Sequence, residues 1–199
     1  GASGVIIFNQ GNDATREGLI VGTLGGPDIV GIPVVGASFA AGEALSQPGS
    51  TAYINVPAPQ QITQVNVIAQ SKWGNPGNVV MAGAHLDSVQ AGPGINDNGS
   101  GSAAILETAE QMAKVRPINA VRFAWWGAEE AGLIGSEEYV AGLSQEEQDK
   151  IALYLNFDMV GSPNHVFFVY DGDDSDDVGA GSGPEGSAQI EKTFEAFYT

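Results

Sequence analysis

From about residue 79 onward, apolar runs alternate with polar, glycine-rich links, and each run stops close to an acidic residue or a histidine. Val79 to Ala84, in "NVVMAGAHLDS", is the continuous apolar run expected of a strand buried on both faces, and it stops at His85. "AVRFAWWG" (Ala120 to Gly127) predicts a second strand ending just before Glu129, and "IALYLNFDMVG" a third ending around Asp158. Between the first two, "NGSGSAAILETAEQMAKV" opens on the capping residue Asn98 and then places Ala104, Leu106, Ala109 and Met112 in an amphipathic helical pattern. Before the third, Ser144 stands three residues ahead of Glu147, the signature of a capping box. Strand, helix, strand, helix, strand with short links predicts an α/β fold with a mainly parallel central sheet and helices on both faces.

The first third of the chain reads as part of a separate, small α/β domain. "GVIIFNQ" (Gly4 to Gln10) and "GIPVVGAS" (Gly31 to Ser38) predict strands, and "FAAGEALSQ" has helical composition. "GSTAYINVPAPQQITQVNVIAQS" alternates in strand fashion, and "VPAPQ" (Val56 to Gln60) is the best linker, so a boundary is expected near residue 58. "YDGDDSDDVGAGSGPEGS" (Tyr170 to Ser187) predicts a solvated acidic loop. Asp171, Asp173, Asp174, Asp176 and Asp177 are hard oxygen ligands for Ca²⁺, but their spacing lacks the EF-hand pattern and the solvated loop ranks first.

Composition narrows the function. With 7 Lys+Arg against 24 Asp+Glu the formal charge is −17, which repels phosphate backbones and anionic membranes, so no nucleic-acid or membrane partner is expected. No apolar run of roughly 18 residues occurs and no basic leader precedes an apolar core, so neither a span nor a signal peptide is expected within these residues. With no cysteine and 2 histidines, any metal must be held largely by carboxylates.

In open α/β sheets ligands bind beyond the carboxyl ends of the strands. There the chain presents His85 with Asp87, Glu129 with Glu130, and Asp158, and the loop "AGPGINDNGSGS" adds Asp97. Converging carboxylates repel one another unless one or two divalent cations neutralise them. Zn²⁺ accepts both imidazole and carboxylate, and of two adjacent glutamates one can ligate while its neighbour takes a proton from the activated water. Neighbours on a regular strand face opposite ways, so Gly127 and Ala128 are expected to mark a loop that lets both glutamates face one cavity. Taken singly, a strand-end histidine or an EE pair is more often structural; together, at three strand ends, they favour a site. Asn98-Gly99-Ser100 matches a glycosylation acceptor, the lesser reading beside Asp97. The run Gly99 to Ala104 resembles a dinucleotide fingerprint but follows an acidic loop rather than a strand, and His165 reads as an ordinary loop histidine.

"AGAHLDSV", "GINDNGSGSAA", "RFAWWGAEEAGLIGS" and "YLNFDMVGSPN" resemble, in order and spacing, the motifs of the two-zinc exopeptidases typified by secreted bacterial leucine aminopeptidases. The similarity covers about residues 62 to 199, so residues 58–199 are expected to be the catalytic domain. Residues 1–57 resemble, more weakly, the later part of a protease-associated domain. The resemblance implies that His85 and Asp158 ligate one zinc, Glu130 the other, and that Asp97 bridges them. Glu129 matches the general acid/base, Asp87 the carboxylate that orients the ligand imidazole, and Met159 the pocket for the first side chain. It further implies a secreted, monomeric parent that hydrolyses peptides with a free, hydrophobic N-terminal residue, Glu129 moving the proton of the attacking water to the leaving amine. The chain would be an internal segment, without the second zinc's remaining histidine and the oxyanion-stabilising tyrosine.

Three rivals accompany that expectation. Related families on this scaffold remove C-terminal glutamate or cyclise glutamine as glutaminyl cyclases, and a free-amine requirement would separate the first of these, the carboxypeptidases. An inactive, peptidase-like binding module is suggested by the missing histidine and tyrosine. A calcium-dependent structural domain rests on the acidic loop alone.

Overall fold

A computed structural model describes residues 1–22, 24, 30–57, 61–89, 92–177 and 181–198. It divides into two compact units, Gly1–Met159 and Val160–Thr199. In the first unit, β1 (Val5–Phe8) pairs in parallel with β2 (Val34–Ala37). Helix α1 (Phe39–Leu45) follows, its N-terminus capped by Ser38, whose Oγ accepts the Ala41 N–H at 3.3 Å. Gly42 of α1 lies against the Phe8 ring, where a Cβ would collide, so a side chain there would lever the helix off its strand. Ala58, Pro59 and Gln60, where the domain boundary is expected, lie outside the described residues.

The alternating stretch before the main sheet is corrected. Among its described residues, only β3 (Val67–Gln70) is a strand; residues 51–57 form no ladder, and Tyr53 is 91% exposed. Alternation suits a pleat, but a strand exists only where a neighbour satisfies its N–H and C=O groups.

The main sheet contains β3, β4 (Asn75–His85), β5 (Asn119–Trp126) and β6 (Ile151–Asn156), in the order β3-β5-β4-β6. β4 runs parallel to β5 and β6, and β3 closes one edge antiparallel to β5. The mainly parallel α/β sheet read from the pattern is therefore observed. After β4 the chain crosses to β5 on one side through α2 (Gly101–Met112). It then returns to β6 on the other side through α3 (Ile134–Ala141) and the one-turn α4 (Gln145–Gln148). The order thus reverses at β4, and a crevice opens at the carboxyl end of such a strand. That end is His85.

Helices cover both faces because the strands are apolar on both. Ala82, Ala84, Val121, Phe123 and Trp125 point to one side and pack around Ile105 of α2, with Ala109 and Met112 beside it. Met81, Ala124 and Trp126 point to the other and meet Tyr139 of α3 and Ile151. The face of α2 differs from the expected one. Ile105 is 2% exposed whereas Leu106 is 51% exposed and Ala104 is also exposed, so the buried stripe is Gly101, Ile105, Ala109 and Met112. Alanine and leucine fit either stripe; the fit of the β-branched Ile105 against Val121 and Phe123 sets the phase. The capping box of α4 is present as expected, with the Ser144 N–H donating to Glu147 at 2.9 Å.

The second unit carries α5 (Ser187–Tyr198) and a Phe167–Tyr198 stack with ring centroids 4.4 Å apart. No described helix is long and apolar enough to cross a membrane.

Candidate metal centre

Four elements of the first unit deliver side chains to one point. His85 is the last residue of β4 and only 3% exposed. Its backbone is held by α2, since Ser102 Oγ donates to the His85 carbonyl at 2.8 Å. Around its Nε2 stand Asp97 Oδ1 at 3.0 Å, Asp158 Oδ2 at 3.4 Å and Glu129 Oε2 at 3.9 Å. Ligand atoms of His85, Asp97 and Glu130 all lie within 4.8 Å of one another.

The adjacent glutamates reach the same place because the chain bends sharply after β5. The strand stops at Trp126, and Ala128 takes a left-handed φ of 57°, which breaks the up-and-down alternation. The Glu129 carbonyl then accepts the N–H groups of Gly132 and Leu133, both at 2.8 Å, closing a tight loop. Asn66 braces that loop at both ends: its Oδ1 accepts from Gly127 N at 3.0 Å and its Nδ2 donates to the Gly135 carbonyl at 2.7 Å. Glu130 Oε1 accepts the Val89 N–H at 3.2 Å, drawing it toward the strand-end loop of His85.

Asp87 has a different immediate partner from the one the resemblance implies. Its backbone carbonyl, 2.9 Å from His85 Nδ1, is the nearer partner of the imidazole, and its Oδ1 lies at 3.7 Å. The carboxylate accepts the N–H of Glu129 at 2.9 Å and of Glu130 at 3.1 Å. The contact with the Asp87 carbonyl favours a proton on Nδ1, leaving Nε2 with its lone pair toward the carboxylates.

This arrangement is electrostatically loaded. Burial alone would push the His85 pKa down, but Asp158, the Asp87 carbonyl, Glu129 and Asp97 outweigh it and raise the imidazole above its ordinary value. Burial also raises the Glu129 carboxyl, reinforced by Glu130, Asp158 and Asp87 against the opposing pull of His85. Although Asp97 is near, His85 Nε2 is buried without a hydrogen-bond partner among the described residues. Buried polar atoms are rarely left so, and each needs an explanation. An imidazole nitrogen ringed by carboxylate oxygens is a donor set for a divalent cation such as zinc, and the cation would satisfy that nitrogen and cancel the repulsion.

Other expected residues fall as follows. Asp158 lies two residues past the end of β6, in the segment that turns off the sheet, and Met159 beside it is 52% exposed with a φ of 50°. Asn98 is 2% exposed, and its carboxamide donates to the Phe157 carbonyl and accepts the Gly101 N–H, so the folded chain does not offer it for glycosylation. Neither the cap nor the glycosylation-acceptor reading shows this; the one clue in the sequence is a polar residue between a candidate ligand and a glycine-rich helix start. The expected cap is corrected: α2 begins at Gly101 with Ser100 at its N-cap position, and Asn98 lies two residues earlier, its Oδ1 accepting the Gly101 N–H at 2.9 Å. His165 packs against Phe167 in the second unit, with ring centroids 5.6 Å apart.

Asp171 and Asp173 of the acidic loop form a second carboxylate group with Glu191 of α5. Asp171 already accepts the N–H groups of Asp173 at 3.2 Å, Ser175 at 3.1 Å and Asp176 at 2.9 Å. These bonds, that from Asp176 most, hold its carboxyl below the usual range. Glu191 accepts the Gly172 N–H at 2.9 Å.

The model of Peptidase family M28 matches residues 66–199. An aminopeptidase of Pseudomonas aeruginosa is 58% identical over 200 residues, covering 100% of this chain and 37% of its own. A probable lipoprotein aminopeptidase of Mycobacterium tuberculosis is 54% identical over 190 residues, covering 93% of this chain and 38% of its own. The solved structure of a zinc aminopeptidase from Bacillus subtilis superposes with a TM-score of 0.63 at 36% identity, over 81% of this chain and 39% of that one. The chain therefore spans less than half the length of these relatives. The matched span takes in β3 to β6 and each residue around His85, and the chain belongs to Peptidase family M28.

Proposed function

We propose that this chain carries the metal-binding part of a zinc-dependent aminopeptidase that removes hydrophobic N-terminal residues from peptides. The observation that carries the reading is His85 Nε2, buried without a hydrogen-bond partner among the described residues and faced by Asp97, Asp158 and Glu129. His85, Asp97, Glu130 and Asp158 are the residues that would hold the two zinc ions of such a site. Zinc bound there would lower the pKa of water and polarise a peptide carbonyl. Glu129, with its carboxyl raised by burial and by its acidic neighbours, suits the general base that takes the proton of the attacking water and passes it to the leaving amine. Asp87 holds the loop that aims Glu129 and Glu130. The free α-amine of the substrate would sit among these groups, which would confine cleavage to free N-termini, and Met159 would contribute to the pocket for the first side chain.

Residues 1–57 are assigned to part of a protease-associated module. The separate β1–β2 sheet supports this, as does the start of the family match at residue 66. A secreted parent is supported by the relative named as a lipoprotein.

Two measurements test the reading. Elemental analysis after dialysis against metal-free buffer should find zinc on the chain, and none on a His85→Ala variant. The parent protein should hydrolyse leucine p-nitroanilide but not an N-acetylated leucine peptide, with activity lost in Glu129→Gln. Cleavage of the acetylated peptide, or full activity in the Gln variant, would overturn it.

A further inference from the structure

We propose that Asn98 is a positioning residue that locks Asp97 and Asp158 into one register about His85. The inference rests on the metal-centre reading above. Asn98 and His85 are the buried polar side chains of the described core, and Asn98 is enclosed at 2% exposure. Its Nδ2 donates to the Phe157 carbonyl at 3.0 Å, and its Oδ1 accepts the N–H of Met159 at 3.3 Å. The two bonds grip the backbone immediately before and after Asp158, from a residue that itself directly follows Asp97. A third bond, from Gly101 N to Oδ1 at 2.9 Å, ties the group to the start of α2, whose Ser102 holds the His85 carbonyl. Phe157 is in turn anchored to β4, its N–H donating to the Gly83 carbonyl at 2.9 Å.

A helix cap alone would not require this residue. Serine or aspartate would accept from Gly101 equally well. The Phe157 carbonyl, however, needs a donor, and the Met159 N–H needs an acceptor, within one short planar group, which among the capping residues only asparagine supplies. Gly101 completes the fit, because a Cβ there would run into both Asn98 Oδ1 and the Phe157 carbonyl. The consequence is a division of labour. Backbone groups and a neutral carboxamide fix where the two acidic residues stand, while their own oxygens stay turned toward His85 Nε2, at 3.0 and 3.4 Å. Groups that orient metal ligands without touching the ion commonly tune affinity by about 10- to 100-fold.

The test uses this chain in wild-type form, as Asn98→Ala, and as Ile105→Val, a control that loosens the core under α2 without touching the clamp. Zn²⁺ affinity is measured by competition with a chromophoric chelator well below the melting temperature, and the visible spectrum of the Co²⁺-loaded chain reports ligand geometry. Asn98→Ala should weaken zinc by about tenfold or more and alter the Co²⁺ bands, while Ile105→Val melts earlier but keeps wild-type affinity and spectrum. If Asn98→Ala does not fold, Asn98→Ser, which keeps a small polar side chain in the same space, is measured in its place with the same expectation. Wild-type zinc affinity and an unchanged Co²⁺ spectrum in the Asn98 variant would overturn the clamp while leaving the metal centre standing. Failure of the wild-type chain to bind zinc would overturn both.

Discussion

Asp87 Oδ1 accepts the backbone N–H of Glu129 at 2.9 Å, joining the loop beyond β4 to the loop beyond β5. With Oδ2 accepting from Glu130 at 3.1 Å, one carboxylate sets the aim of both adjacent glutamates. Asp87→Asn keeps the shape but turns an NH₂ toward one of those N–H groups. The lost charged hydrogen bond should cost about 2 kcal/mol, read as a lower denaturation midpoint of the metal-free chain. Zinc affinity should fall about tenfold; an unchanged midpoint would show that the loop is held by other contacts.

The two histidines should behave oppositely. His85→Ala removes the nitrogen on which the carboxylates converge, and zinc should no longer survive dialysis. His165→Ala, in the second unit, should leave zinc per chain unchanged. Zinc loss in the His165 variant would mean that the centre has been placed wrongly.

The phase of α2 can be checked by a pair of neighbours. Ile105→Ala should destabilise by about 2–5 kcal/mol, the usual cost of emptying a buried aliphatic site. Leu106→Ala, at a position 51% exposed, should change stability by less than about 0.5 kcal/mol. Urea denaturation of the two variants distinguishes this stripe from the one running through Leu106.

The capping box gives a pH dependence with a definite sign. The Ser144 N–H and hydroxyl hold the Glu147 carboxyl below its ordinary 4.5, so its stabilising contribution is present above that value and is lost as pH falls through the lower folded one. Glu147→Gln should therefore melt earlier than wild type at pH 7. The gap should close as pH falls below the ordinary glutamate range; a constant gap would locate the effect in packing instead.

The centre of the sheet was legible because β4 and β5 are largely buried and so carry near-continuous apolar runs, Val79 to Ala84 and, interrupted only by Arg122, Ala120 to Trp126. The ligand-type residues were legible for a related reason: charge that interrupts such a run at its carboxyl end has few structural uses. Asn98 was only half legible. Its match to a cap is local, but its bonds to Phe157 and Met159 span 59 and 61 residues. The stripe of α2 and the lack of pairing at residues 51–57 were misread because local pattern does not identify the partner.

From sequence alone came the α/β class, the strand ends, and the histidine and carboxylates that gather there, because burial period and residue chemistry are local properties of the chain. Tertiary structure decided which of those groups meet and through which atoms. The reversal of strand order at β4 places His85 in the crevice, and the left-handed Ala128 turns two successive glutamates to one side. Asp87 spends its oxygens on the Glu129 and Glu130 amides, and Asn98 on the backbone flanking Asp158. Hydrogen bonds between distant segments form only once the sheet has brought them together, and no periodicity along the chain records them.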